Sequence, residues 1–418
     1  METPQNNKKW TVMVWMAGDN NLEDAGLDDL QELKQVGSTD DVDILVQLDR
    51  LSDHQTRRYH VRKGTSVDDD VVEELGETNT GDPQCALSFF SWGIERSPAD
   101  HYLAVLWNHG SGIDESDMYR QAQRMGLKLQ RRARATQDSV PLSLIHGAVS
   151  HGYHRALFST TVQTALRDKG IAYDDTARDF LDNMELKRVL TEVSNKAGRK
   201  LDLVGFDACL MNMVEIAYEL HPVARFVVGS EESEPGDGWP YDTIMADLVA
   251  NPGMSPRELG SLIVKRYVES YPSEEVTQSL LDLGHTSRMA KAVDALATVL
   301  MELIKSPEGL FAVNRALKAT QAYAYREFVD LGDFVKQLQA QLKNVSPAMQ
   351  EHFVEMLKQG PEALRPFVAA ESHRGGTVAR STGATIYWPV SRGKVSVAYD
   401  SLAFAKDTRW DDFIQQYT

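Results

Sequence analysis

Residues 201–220, LDLVGFDACLMNMVEIAYEL, decide the fold because they join a buried strand pattern to a helix pattern across two chemically active side chains. The first part is a near-continuous apolar run, which is typical of a strand buried on both faces of a sheet. Asp207 and Cys209 interrupt this run, and an amphipathic helix pattern follows them. An acid and a thiol at the carboxyl end of such a strand predict a functional edge of the sheet, because ligands bind there in open α/β folds.

The rest of the chain repeats this alternation of short apolar runs and helix patterns. It predicts an α/β fold with a mostly parallel sheet flanked by helices. Buried strands are expected at TVMVWMAG (11–18), VDILVQLD (42–49), HYLAVLWNHG (101–110), LDLVGFDAC (201–209) and RFVVGSE (225–231), with a short outer strand at RRYHVRKG (57–64). Long helix patterns cover 288–305, 309–343 and 346–359, and GATIYWPV (383–390) predicts a return strand.

These patterns divide the 418 residues into a core and two appended parts. We predict a core over 9–290, which contains an insert at about 111–175 without a clean hydrophobic period. A helical extension is expected over 291–374. The return strand and the C-terminal segment, over 375–418, are expected to pack on the core.

Composition excludes several classes of function. With 44 Lys and Arg against 61 Asp and Glu, the net charge of -17 disfavours nucleic acid as a partner. Two cysteines cannot form a disulfide framework, and their number suits a reducing compartment. No segment predicts an export signal or a membrane span. We therefore expect a cytoplasmic protein without a membrane partner. MAGDNNLED (16–24) lacks the glycines of a nucleotide-binding loop.

His109 and Cys209 form the candidate catalytic pair. They lie 100 residues apart, each at the carboxyl end of a predicted buried strand, and neighbouring parallel strands would bring them together. An imidazole beside a thiol can raise its thiolate fraction and later protonate a leaving amine. Gly110 and the start of the helix predicted after Cys209 offer two backbone N–H groups for an oxyanion. The alternative is that Cys209 is a small buried hydrophobe, which is the interpretation kept for Cys85.

The insert carries a local inversion of charge. YRQAQRMGLKLQRRARA (119–135) has six basic residues and no acid: Arg120, Arg124, Lys128, Arg131, Arg132 and Arg134. It is either a solvated basic helix face or an exposed loop that a protease cuts after Arg or Lys. Three histidines in the same insert, His146, His151 and His154, have spacing that gives only weak support for zinc.

Six motifs together resemble the clostripain family of cysteine peptidases, which share the caspase-like fold. They are VMVWMAGDNNLE (12–23), LAVLWNHGSG (103–112), LVGFDACLMNMVEIAYEL (203–220), GSEESEPGDGWPYD (229–242), FVDLGDF (328–334) and STGATIYWPV (381–390), and the resemblance extends from about Trp10 to Val390. The resemblance implies a catalytic dyad of His109 and Cys209, with an oxyanion hole at the amides of Gly110 and Cys209. It also implies that no third triad member is needed, because the surroundings of the imidazole in this fold orient it.

The resemblance implies a specificity for substrates with Arg or Lys at P1, the residue before the cleaved bond. Asp207, two residues before the cysteine, and Asp237 match acidic positions of the P1 pocket. Capping of a following helix is the alternative role for Asp207. The segment VVGSEESEP (227–235) is expected to offer an open strand edge to the substrate.

The resulting hypothesis is an Arg- or Lys-specific cysteine endopeptidase, made as a latent zymogen and activated by cleavage in the basic insert. Its partners would be protein or peptide substrates with a basic P1 residue and an upstream activating protease. It would act in an intracellular regulatory cascade. No cofactor is needed for this chemistry, but the resemblance makes calcium a possible ligand, with DGWPYD (237–242) and VDDDVVEE (67–74) as acid-rich candidates. The alternative is a caspase-like binding or scaffold protein that performs no chemistry.

Overall fold

The computed structural model describes residues 7–110, 112–113, 171–174, 179–343, 364–389, 395 and 399–418. Strands in this part of the chain are β1 (Lys8–Gly18), β2 (Val42–Arg50), β3 (Gln55–His60), β4 (Val71–Gly76), β5 (Ala99–Trp107), β6 (Ile171–Asp174), β7 (Asp179–Leu181), β8 (Leu201–Asp207), β9 (Ala224–Gly229), β10 (Val276–Asp282), β11 (Phe328–Asp330), β12 (Val368–Arg374) and β13 (Thr385–Tyr387). Helices are α1 (Glu23–Val36), α2 (Pro83–Arg96), α3 (Asn183–Ala197), α4 (Val214–Leu220), α5 (Tyr241–Ala250), α6 (Pro256–Ser270), α7 (Thr286–Leu303), α8 (Pro307–Ala319), α9 (Leu331–Leu342), α10 (Ala403–Asp407) and α11 (Trp410–Tyr417).

A large sheet forms the centre of the molecule. Its order in the described residues is β12-β10-β9-β8-β5-β1-β2-β3-β4. The middle strands β9, β8, β5, β1 and β2 pair in parallel, while β10, β12, β3 and β4 add antiparallel pairs at the two sides. The structure confirms the predicted α/β architecture with a mostly parallel centre.

Helices cover both faces of this sheet. Side chains of β1 alternate between two cores: Met13 and Trp15 pack on one face, and Val12 and Val14 pack on the other. The first core includes residues of α2, α3 and α7, and the second includes residues of α1, α5 and α6. Burial on both faces explains why the central strands read as nearly continuous apolar runs.

The predicted helix over 309–343 is wrong. It is divided into α8 and α9 by the short strand β11, which pairs with β13. The division arises because Thr320 is extended at the end of α8 and the Asp330 side chain caps α9 by accepting from the Asp333 N–H at 2.6 Å. β13 is the predicted return strand, but it lies in this two-stranded sheet.

Strand β12 was not predicted, although it forms one edge of the large sheet and lies in the range 291–374. The domain boundaries stay a prediction, and the helix expected over 346–359 lies outside the described residues. In the part of the chain that the structure describes, none of the helices combines the length and apolar composition needed to cross a membrane.

Candidate active site

The candidate nucleophile and base follow two adjacent strands. β5 and β8 run in parallel, with Trp107 opposite Asp207 in the register. The N–H of Asn108 donates to the Asp207 carbonyl at 3.3 Å, so the pairing continues just past the strand ends. His109 and Cys209 therefore leave the sheet at the same edge, as the strand pattern predicted.

His109 has an oriented imidazole. The residue is buried, and its Nε2 lies 3.2 Å from Oδ1 of Asn21, which follows β1 on the other side of β5. With Oδ1 as acceptor, Nε2 carries the proton and Nδ1 is the basic nitrogen. Asn108 holds the adjoining backbone, since its side chain accepts from the His109 N–H and donates to the carbonyl of Ala17.

Asn21 is one of the surrounding groups that orient the imidazole, and the resemblance did not identify it. Asn21 was missed because a loop residue next to β1 has no periodic pattern that relates it to His109. The only sequence signal is the polar pair Asn20 and Asn21 directly after a buried strand.

Gly110 lies against the backbone of the candidate nucleophile. A Cβ at this position would lie 2.3 Å from the Cys209 carbonyl oxygen, 3.1 Å from its amide nitrogen and 3.1 Å from the Ala208 Cβ. Only glycine allows this approach, which puts the two segments expected to form an oxyanion hole side by side.

Cys209 does not begin a helix, so that part of the prediction is wrong. Helix α4 begins at Val214. Leu210 has a φ of 65°, in the left-handed region that L-residues avoid, and this turn carries the chain away from β8. Any donation by the Cys209 amide thus depends on a strained turn and not on a helix terminus.

The Cys209 thiol is held by Glu234. The Glu234 N–H donates to Sγ at 3.3 Å, and the thiol donates to the Glu234 carbonyl at 3.9 Å. Burial raises the pKa of the thiol to about 12; the Glu234 N–H lowers it, whereas the charges of Glu234 and Glu232 raise it further. The thiol is therefore neutral in this arrangement, and it needs a base to become a nucleophile.

Asp207 lies in a buried acidic site beside this thiol. Only 5% of the residue is exposed, and its Oδ2 accepts from the Tyr241 hydroxyl at 2.8 Å and from the Trp239 N–H at 3.3 Å. Burial raises the pKa of Asp207 to about 6, against hydrogen bonds from Tyr241 and Glu234 that lower it. Asp207 makes these contacts and α4 begins seven residues later, so the helix-capping role is wrong.

Two further buried acids adjoin Asp207. Glu234 hydrogen-bonds to the Asp207 carboxyl group, and Asp29 of α1 accepts from the Trp107 indole N–H at 2.6 Å. A Cβ on Gly238 would lie 3.2 Å from an Asp207 oxygen and 3.1 Å from an Asp29 oxygen, so this backbone passes close to both carboxyl groups. We call Asp29, Asp207 and Glu234 the acidic pocket.

Asp237 lies near the acidic pocket but is exposed. Burial raises the pKa of Tyr271, and the charges of Asp207 and Asp237 raise it further. The Tyr271 hydroxyl donates to the Gly238 carbonyl at 2.6 Å. The expected open strand edge is wrong for β9, because β8 and β10 flank it on both sides. The chain after β9 is instead anchored at Thr277, whose Oγ1 accepts from the Glu231 and Glu232 N–H groups.

Carboxylates with the proximity of metal ligands occur elsewhere on the described chain. Asp19 and Asp49 are buried and Glu77 is exposed, and their ligand oxygens lie within 4.8 Å of one another. The Thr56 hydroxyl donates to Asp49 at 2.6 Å. Burial raises the pKa of Glu77, and the charge of Asp19 raises it further. The two acid-rich segments named for calcium, 67–74 and 237–242, stay a prediction; in the first, Asp70 pairs with Lys34.

The six basic residues from Arg120 to Arg134 and the three insert histidines lie outside the described residues. Both cysteines are free thiols in the structure. Cys85 is half-buried, and its sulfur accepts from the Gln47 amide at 3.3 Å.

Comparison with known proteins decides the family. The model of the clostripain family matches residues 14–127 and 150–417. The chain belongs to the clostripain family. Clostripain of Hathewaya histolytica is 23% identical over 355 residues, which cover 72% of this chain. The chain spans 58% of the length of that curated relative.

Solved structures agree with this family assignment at the level of the fold. An inactive zymogen C11 protease from Parabacteroides distasonis matches with 18% identity and a TM-score of 0.65, covering 97% of this chain and 99% of that one. A secreted C11 cysteine protease from Bacteroides thetaiotaomicron, solved with an irreversible peptide inhibitor, matches with 18% identity and a TM-score of 0.64, covering 96% and 99%. These matches confirm the predicted caspase-like fold.

Proposed function

We propose that this member of the clostripain family is a cysteine endopeptidase that hydrolyses the peptide bond after Arg or Lys. The observation that carries the proposal is the buried carboxyl group of Asp207, at the end of the strand that leads directly into Cys209. A cationic P1 side chain would find a desolvated negative partner beside the nucleophile. Exposed Asp237, in the loop after β9, adds a second attractive charge.

The proposed catalytic steps use groups that follow the neighbouring parallel strands β5 and β8. His109 takes the proton of the Cys209 thiol, and the thiolate sulfur attacks the scissile carbonyl carbon. The backbone N–H groups of Gly110 and Cys209 stabilise the oxyanion. The imidazolium then protonates the leaving amine as the C–N bond breaks, and water hydrolyses the resulting thioester to release the acid and the free thiol.

The proposal extends to activation. A basic insert joined to the catalytic strand is a natural substrate for a basic-specific site, so we propose a latent chain that is cut between Arg120 and Arg134. The cut would be made in cis, by a second copy of the chain or by an upstream protease. We further propose a regulatory role in a reducing compartment, which fractionation of the native source would test; one solved relative is by contrast a secreted protein.

Active-site labelling tests both parts. A peptide electrophile with P1 Arg is added before and after limited trypsin treatment, and the labelled residue is identified by mass spectrometry. We expect labelling at Cys209 that increases after trypsin and disappears in Cys209→Ala. A matched electrophile with P1 citrulline, which has nearly the shape of Arg without its charge, should label far more slowly.

Each of the other outcomes identifies which part of the proposal is wrong. Equal labelling by the Arg and citrulline probes would reject the basic specificity but keep the protease. No labelling in either state would favour a catalytically silent scaffold. Full labelling of an uncut chain would reject latency and would support the interpretation of residues 119–135 as a solvated basic helix face.

Calcium is a separate proposal that the catalytic steps do not require. Its hard oxygen ligands could come from Asp19, Asp49 and Glu77. Hydrolysis and thermal unfolding measured with calcium or with a chelator would test it.

A further inference from the structure

One residue contacts both the nucleophile and the specificity acid. Glu234 is 8% exposed, and its main chain brackets the Cys209 sulfur through the N–H at 3.3 Å and the carbonyl at 3.9 Å. Its side chain reaches the opposite way, to the carboxyl group of Asp207 and to the Gln278 amide, whose Nε2 donates to Oε1 at 3.5 Å. The mechanism proposed above gives Glu234 no role.

A hydrogen bond between two carboxyl groups requires one proton. Burial raises the pKa of Glu234 well above its usual value, and the charge of Asp207 raises it further. The contact with Glu234 instead lowers the pKa of Asp207. Glu234 is therefore the protonated member of the pair and donates to the Asp207 carboxylate.

Other titratable groups surround this pair. Among the described residues, those that interact with this pair are Asp29 and Glu32 of α1, Tyr241 of α5, Tyr267 of α6, Tyr271 directly after α6, and Cys209. The tyrosines are neutral at physiological pH because burial raises their pKa values. Burial also raises the pKa of Asp29 well above its usual value and that of Glu32 to about 7. Hydrogen bonds from the Trp107 indole N–H to Asp29 and from the Tyr241 N–H to Glu32 act in the opposite direction, so both acids are included in the test below.

We infer that Glu234 is a third acid of the P1 pocket, which gives up its proton when a substrate cation enters and then binds that cation jointly with Asp207. The inference rests on the proposed function. A cation placed between the two oxygens removes the repulsion that keeps the proton in place, so both carboxylates ionise. Two carboxylates can meet the two edges of a guanidinium, which a single one cannot do.

Calorimetry of a small P1 mimic tests this exchange in the whole chain after activation. Benzamidine is titrated at neutral pH in buffers with different ionisation enthalpies, because the slope gives the protons released per bound cation. We expect wild type to release about one proton per site. Glu234→Gln, which keeps the size and a hydrogen-bond donor, should release close to none and bind benzamidine at least about tenfold more weakly.

Asp29→Asn and Glu32→Gln are matched controls that each remove one of the neighbouring raised acids. Both should still release the proton. Loss of the release in Asp29→Asn but not in Glu234→Gln would move the proton to Asp29 and overturn the assignment. Wild type that binds benzamidine without proton release would also overturn it, even if Glu234→Gln did not fold. Wild type that does not bind benzamidine would instead reject the basic specificity of the proposed function.

Discussion

Gly110→Ala is the sharpest test of the candidate active site, because the structure gives its effect directly. The new Cβ would lie 2.3 Å from the Cys209 carbonyl oxygen, whereas ordinary contact begins at 3.4 Å. The two segments must separate by about 1 Å, and a misplacement of that size at a reacting centre costs on the order of 100-fold in rate. Backbone atoms form the contact, so rotation of a side chain cannot relieve it.

The assay is hydrolysis of a peptide with P1 Arg by the activated enzyme, with separate kcat and KM. We expect the loss mainly in kcat, because the oxyanion exists only in the transition state. Gly376→Ala is the matched control, since a Cβ there would meet nothing within 4 Å. It should keep wild-type activity, and the melting temperature of both variants should be recorded. Activity of Gly110→Ala within twofold of wild type would refute the oxyanion role of this segment.

Three other substitutions test the remaining groups. Cys209→Ala should abolish hydrolysis and His109→Ala should remove most of it, whereas Cys85→Ala should stay active; loss in Cys85→Ala alone would show that the nucleophile is misassigned. Asn21→Ala should lower kcat about tenfold or more and shift the pH dependence of kcat/KM, because an unoriented imidazole loses its fixed tautomer, while Asn21→Asp restores an acceptor and much of the rate. Asp207→Asn should lower kcat/KM for P1 Arg by an amount that corresponds to about 2 to 5 kcal/mol of lost transition-state stabilisation. It should hardly change kcat/KM for P1 citrulline. In wild type the Arg-to-citrulline ratio should fall as the pH drops through about 6, where a carboxyl group with this raised pKa takes up its proton, and a ratio independent of pH would contradict the pairing.

The sequence predicted the centre of the sheet better than its sides. Central strands such as β5 and β8 are buried on both faces, and continuous apolar runs identify them. Edge strand β12 has the sequence VAAESHR and six half-buried residues, so it lacks both a continuous run and a clear alternation. Edge strand β4, VVEELG, is similar and leaves Val72 and Leu75 exposed.

The sequence predicted the strand-end positions of the site but not its loop contacts. His109 and Cys209 are separated by 100 residues, and they could be related only because each follows a recognisable strand. Asn21 and Glu234 reach them from loops, whose paths depend on tertiary packing and have no period. The helix predicted from Cys209 failed for a similar reason, because nothing local marks Leu210 as a left-handed residue.

The acidic pocket and the thiol place opposing electrostatic demands on Glu234. Negative charge there attracts a P1 cation, but it also raises the pKa of the Cys209 thiol and so opposes the nucleophile. A proton held on Glu234 removes that repulsion while the pocket is empty. When a P1 cation replaces the proton, its positive charge offsets the new carboxylate. A neutral P1 side chain cannot replace the proton on Glu234. On the proposed function such a substrate therefore binds more weakly, but Glu234 stays neutral and adds no charge beside the thiolate. The specificity of this site should consequently appear mostly as weaker binding of the wrong substrate, and only secondarily as a less reactive cysteine.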